Sequence, residues 1–220
     1  MILQDIEKKY QFEYPSLYKQ LYEDGMLTVG ELKENPSLLL HSYDFELLNL
    51  NSITREIERL IDPDDYRQIN KEFKFIPFAK SGAGDHFCFF LNEEENGNVP
   101  IVLLCHDMSE AEYLAKNLVD FIFRTLLTDM SQQDMYNEES EEEFRGNIEK
   151  VFKSHKKYLT EQQKEVLQNL LKRDIVDYQI LIGKNKEDAR GFLTDIEMKK
   201  LLAEIIFFDK MDTTFEYSNE

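Results

Sequence analysis

Apolar positions along the chain switch period several times, and each switch predicts an element. Tyr14, Leu17, Tyr18, Leu21 and Tyr22 recur at helical spacing, with Pro15 suited to a first turn and Gly25 to the exit. Tyr43 to Leu50 alternates and predicts a strand. Ile53, Ile57, Leu60 and Ile61 return to helical spacing, with Ser52 as the expected cap. Asp62-Pro63-Asp64-Asp65 then restarts the chain as a turn or a new helix.

The middle of the chain is the clearest β region. Phe73 to Ala79 and Asp85 to Leu91 are two apolar runs separated by Ser81-Gly82-Ala83-Gly84, the signature of a hairpin. Asn92 to Asn98 is an acidic turn, and Val99 to Cys105 is a third strand, apolar enough to be covered on both faces. The three strands predict an antiparallel meander. Ser109 and Glu112 have capping-box spacing. The positions from Ala111 through Leu114, Leu118, Phe121 and Ile122 to Leu126 then predict a long helix over the sheet.

Beyond this helix, Ser131 to Glu143 holds six acids, no base and few apolar residues, which predicts a solvated connector. Phe144 to Tyr158 reads as a mixed-charge helix. Thr160 with Gln163, and Thr194 with Glu197, are further capping boxes, leading to Val166–Leu171 and Met198–Ile206. Tyr178 to Ile182 is a short strand or a packed connector. The predicted fold is α+β, a twisted antiparallel sheet flanked by helices with a C-terminal helical extension. The expected division is 1–128 for the α+β domain, 129–143 for the acidic linker and 144–220 for the extension.

Composition changes this picture chiefly through charge. The chain carries 44 acids and 26 bases, a net of -18. Up to Thr128 there are 23 acids and 12 bases, beyond it 21 and 14, so the acidity belongs to the whole surface. Such a field disfavours nucleic acid and anionic membranes, which need a basic footprint. It favours a basic protein partner and speeds its arrival. No apolar run reaches the roughly 18–20 residues of a membrane span. The opening MILQDIEKKY lacks the basic start and apolar block of a signal peptide. These features predict a cytoplasmic protein, in which Cys88 and Cys105 are free thiols in apolar runs.

Candidate chemistry is sparse. His86, Cys88, Cys105 and His106 are the candidate metal ligands. Residues two apart on a strand share a face, so His86 and Cys88 converge, whereas adjacent Cys105 and His106 point oppositely. The paired short loops of structural zinc sites are missing, and neither metal nor cofactor is expected. Cys105, His106 and Asp107, as strand neighbours, do not line up as nucleophile, base and orienter. Gly82-Ala83-Gly84 precedes a strand rather than a helix and lacks the Lys-Ser or Lys-Thr of a phosphate loop. A tight turn needing positive φ explains it better. No catalytic arrangement emerges, so the chain is expected not to be an enzyme. A hydrolase using buried acids is the reading disfavoured here.

The phrase from Ile76 to Leu91, with Pro77, Phe78, Ala79, Gly82, Gly84, Asp85 and Phe87, resembles the SUKH superfamily. Tyr14-Pro15-Ser16-Leu17-Tyr18, Pro100 to Asp107 and Asp120-Phe121-Ile122 extend the resemblance over roughly residues 10–128. Trp, which members often carry, is absent. The superfamily includes bacterial immunity proteins and fungal cell-wall assembly regulators. The resemblance implies an α+β fold and, for many relatives, cytoplasmic neutralisation of toxins, nucleases among them. Pro77, Phe78, Gly82, Gly84 and Phe87 are the expected framework: glycines for the turn, Phe87 for the core. Asp85, Glu93, Glu94, Glu95 and Asp107 are the expected contacts for a basic protein such as a cognate toxin. A non-toxin regulator or scaffold of the same fold is the alternative.

Overall fold

The computed structural model describes residues 2–28, 36–136 and 140–218. The chain opens with α1 (Leu3–Tyr10), which buries Leu3 and Ile6. Pro15 then starts α2 (Ser16–Glu23), which buries Tyr18 and Leu21 and ends at Gly25 with φ +74°. The strand expected from Tyr43 to Leu50 shrinks to β1 (Glu46–Leu47), and α3 (Leu50–Leu60) follows. Its cap is Asn49, whose side chain accepts the Ser52 N–H, so Ser52 lies inside the first turn. The segment from Asp62 is a series of turns, closed by Asp65 N–H to Asp62 O at 3.1 Å.

The meander follows as β2 (Phe75–Lys80), β3 (His86–Phe90) and β4 (Ile101–Leu104). The expected helix from Ala111 is overturned at its start. Glu110 to Ala115 is a fourth meander strand, β5, and the helix α4 (Leu118–Ser131) begins only at Asn117, which caps the Asp120 N–H. The reason is tertiary. Glu110–Tyr113 alternates half-buried and buried positions, and both edges of the strand find partners. Helix spacing over Ala111–Leu118 loses to two flanking strands.

Then come α5 (Glu141–His155), α6 (Glu161–Leu170), β6 (Val176–Ile182), β7 (Asn185–Gly191), α7 (Asp195–Ile206) and β8 (Thr214–Glu216). Capping boxes at Thr160–Gln163 and Thr194–Glu197 form as expected, and Ser140–Glu143 adds another. Residues 129–131 finish α4 and 141–143 open α5, so much of the expected linker is helix. The extension also contains strands. β6 and β7 form a separate hairpin, while β8 returns to the main sheet, whose order is β1-β2-β3-β4-β5-β8 with every neighbour antiparallel.

The sheet has two different faces. On one, Phe78, Phe89, Ile101 and Leu114 join a core shared with the helices, reaching Phe144, Ile148, Leu167 and Leu202. On the other, Phe75, Cys88, Phe90, Val102, Leu104 and Tyr113 pack under Tyr217. Each fully buried Phe contributes about 1.5–3 kcal/mol of burial. Helices from beyond residue 143 are fastened to the sheet region by polar contacts as well. His155 Nε2 accepts the Leu39 N–H at 3.1 Å, and Gln163 donates to Asp120 at 2.8 Å.

Candidate partner-binding surface

The β2–β3 turn is tied by its own side chains. Gly84 has φ +103°, a conformation an L side chain rarely adopts. Ser81 Oγ donates to Asp85 Oδ2 at 3.0 Å, and the Gly82 N–H donates to Asp44 Oδ1 at 2.6 Å. Asp85 Oδ1 also accepts the His106 N–H at 2.9 Å and lies 2.7 Å from His106 Nδ1. Burial works against the Asp85 charge, but the bonds from His106 and Ser81 outweigh it and hold the carboxyl below its usual range. The same bond to Asp85 raises His106 above the ordinary imidazole value. His106 therefore partners Asp85, not Asp107. Asp107 is exposed at the same end of the sheet.

Strand register builds rows across this face, because paired residues project to the same side. The row Ala79, Phe87, Leu103, Glu112 and Thr214 runs across β2, β3, β4, β5 and β8. Helices cover the neighbouring row of Ile76, Phe89, Ile101 and Ala115, but here Phe87, Leu103 and Glu112 stay half-buried. Phe87 packs against the core but stays half-buried. It lines a cleft of about 190 Å³ with Tyr43, Phe45, Leu103, Leu114 and Phe121. The rings of Phe45, Phe87 and Phe121 form a triangle with centroids 5.3, 5.7 and 6.1 Å apart.

One row further out, Glu110 lies directly opposite Glu216. Like charges facing each other across strands lower stability. Arg124 is the nearby cation, 2.6 Å from Asp212 and 4.0 Å from Glu112, and it also donates to the Leu114 carbonyl. Burial raises the Glu112 carboxyl above its usual value, Arg124 opposes that, and Asp212 adds to it. Cys105 registers the same field. Burial first, then Asp85, Glu112, Asp107 and Glu110, push its thiol up and away from reactive thiolate.

Glu93, Glu94 and Glu95 do not join this group. They follow β3 at its other end, about 15 Å away at the usual strand rise. Glu93 is already engaged, accepting from the Tyr113 hydroxyl at 2.6 Å and Lys210 at 2.7 Å. Glu94 and Glu95 are exposed. The five expected contacts thus fall into two sites, with Asp85 and Asp107 at the acidic end of the open face.

Sequence reasoning missed a buried ionic network on the opposite face. Arg67 Nη1 lies 3.2 Å from His86 Nδ1, and His86 Nε2 lies 3.3 Å from Glu56 Oε2. Arginine only donates, so Nδ1 accepts and Nε2 carries the proton toward Glu56. Burial, then Arg67, lowers the His86 pKa despite Glu56, in keeping with this neutral ring. Asp65 holds the far side of Arg67 at 2.7 Å. The signal was present: Glu56 lies on the apolar stripe of α3, between Ile53 and Leu60. His86 is committed here and Cys88 lies in the apolar cluster. Among the described residues no group of three His, Cys, Asp or Glu is placed to hold a metal ion. No helix among them is long and apolar enough to cross a membrane.

A family model, the SMI1 / KNR4 family (SUKH-1), matches residues 2–124. The chain belongs to this family. No curated protein and no solved structure matches it. The SUKH-1 match ends inside α4, so β8, with Glu216, comes from outside the matched region and completes the sheet edge beside β5. Membership in SUKH-1 supports a protein-binding role of the immunity-protein or SMI1 kind.

Proposed function

We propose that this SUKH-1 chain is a toxin-neutralising immunity protein that seats a cationic toxin on the open end of its sheet. One observation carries the reading: Glu110 and Glu216 face each other beside Glu112, on a half-buried apolar floor of Phe87 and Leu103. A cation from outside relieves their repulsion, and the floor supplies area to exclude water. Charge complementarity of this kind raises association rate and rejects wrong partners. A nuclease toxin suits the surface, since its substrate groove is basic. The chain works in the cytoplasm by binding rather than by catalysis. The raised Cys105 thiol and the commitment of His106 to Asp85 support that choice. The family name also favours a second reading, a regulator or scaffold that binds a non-toxin protein.

The experiment is co-expression with each candidate toxin gene found beside this one. Protection of the cell, lost in a Glu110→Lys/Glu216→Lys variant that still folds, is the expected result. If the folded wild-type protein fails to protect against any linked toxin, the regulator reading replaces this one.

A further inference from the structure

A second cleft lies far from the acidic end, between α1, α3 and the start of β2. Its volume is about 230 Å³. Ile57, Leu60, Ile69, Phe73, Phe75 and Ile76 form its walls, and Ile61 stands at the mouth with 64% of its surface exposed. The Tyr10 hydroxyl, at the rim, is taken by the Thr54 carbonyl and Glu58. The remaining polar lining is Lys71 and Lys74. No carboxylate lines the cleft, and neither ammonium has an ion pair or hydrogen bond among the described residues. In a chain of net charge -18, the charged residues that line this cleft are both cations. Lys9, next to Tyr10 at the rim, is by contrast paired with Glu58.

We propose that this cleft binds an acyl chain carrying an anionic head group. Apolar walls with a few convergent polar groups are the usual build of a small-molecule site. The walls take the alkyl chain out of water, and the two lysines meet the head at the rim. The site is independent of the partner surface, which lies at the opposite end of β3.

The test is an NMR titration of the full chain, methyl-labelled at isoleucine, with decanoate below its micelle concentration. Saturable one-to-one binding is expected, with shifts concentrated at Ile57, Ile61, Ile69 and Ile76. Octanoate, two methylenes shorter, binds about fifteenfold more weakly, since each buried methylene is worth roughly a factor of four. Decyltrimethylammonium provides the decisive contrast. Nonspecific attraction to an acidic protein favours the cation, so preference for decanoate reports the two lysines. The exposed double variant Lys71→Glu/Lys74→Glu keeps the fold and weakens decanoate binding about tenfold. Unsaturable binding, shifts spread over the surface, or preference for the cationic amphiphile overturns the proposal. So does a response of these isoleucines to a protein partner but not to decanoate.

Discussion

Lowering the pH from 7 to 5 destabilises this fold through His155. The ring is fully buried, its Nε2 accepts the Leu39 N–H at 3.1 Å, and its Nδ1 lies 2.8 Å from the Val151 carbonyl. Nε2 is therefore bare and Nδ1 carries the proton. A second proton would face the Leu39 N–H. Burial lowers the His155 pKa to about 4, against the bond to Val151, which opposes the shift. In the unfolded chain the ring titrates near 6.5. Between those values the unfolded state binds a proton that the fold refuses, so stability falls as pH falls. Linkage gives a loss of about 2 kcal/mol by pH 5 and about 3 kcal/mol by pH 4. Urea unfolding of wild type and His155→Gln at pH 7 and pH 5 isolates this contribution, because glutamine offers an acceptor but does not titrate. Other titrating groups are common to both proteins and cancel. The wild type should lose about 2 kcal/mol more than the variant over that interval. Equal losses refute the assignment of a neutral, interior ring.

Gly191 packs against the Met130 and Ser131 backbone so closely that a methyl group would overlap their carbonyls. Gly191→Ala should therefore cost about 1–3 kcal/mol in thermal unfolding, and a neutral result means the β6–β7 hairpin is not fastened there. Glu110→Gln removes half of a like-charge cross-strand pair and should raise stability by about 0.2–1 kcal/mol in urea while weakening partner binding. A loss of stability contradicts the register. Cys105 should alkylate with iodoacetamide more slowly than a free cysteine peptide at pH 8, and Glu112→Gln should speed it. An unchanged rate in that variant places the acidic field elsewhere.

Elements set by local chemistry were legible in the sequence. The β2–β3 hairpin follows from Gly84 and its flanking apolar runs, and Thr160 and Thr194 cap helices where their boxes stand. Ser109 and Glu112 have the same spacing but start no helix, because β8 supplies a partner to β5 from the far end of the chain. β7 reads Asn-Lys-Glu-Asp-Ala-Arg-Gly and has no strand pattern of its own. It exists through its register with β6. α1 shows in the helical spacing of Leu3, Ile6 and Tyr10. At the site, Asp85 and Asp107 were found as strand-end acids. Glu93–Glu95 lie at the other end of β3, a separation that the sequence does not display as a distance. Glu110 opposite Glu216 was invisible for a stronger reason, since only tertiary pairing sets a strand against another so far along the chain.

On the proposed function, the partner sits on the open, acidic end of the sheet. The sharpest test is an NMR titration of the labelled chain with the toxin that the proposal requires, sought among the products of neighbouring genes. Perturbation centred on Phe87, Leu103, Cys105, Glu110, Glu112 and Glu216, weakening with added salt, is the predicted outcome. A tight complex that leaves those signals unmoved and perturbs another face places the partner elsewhere.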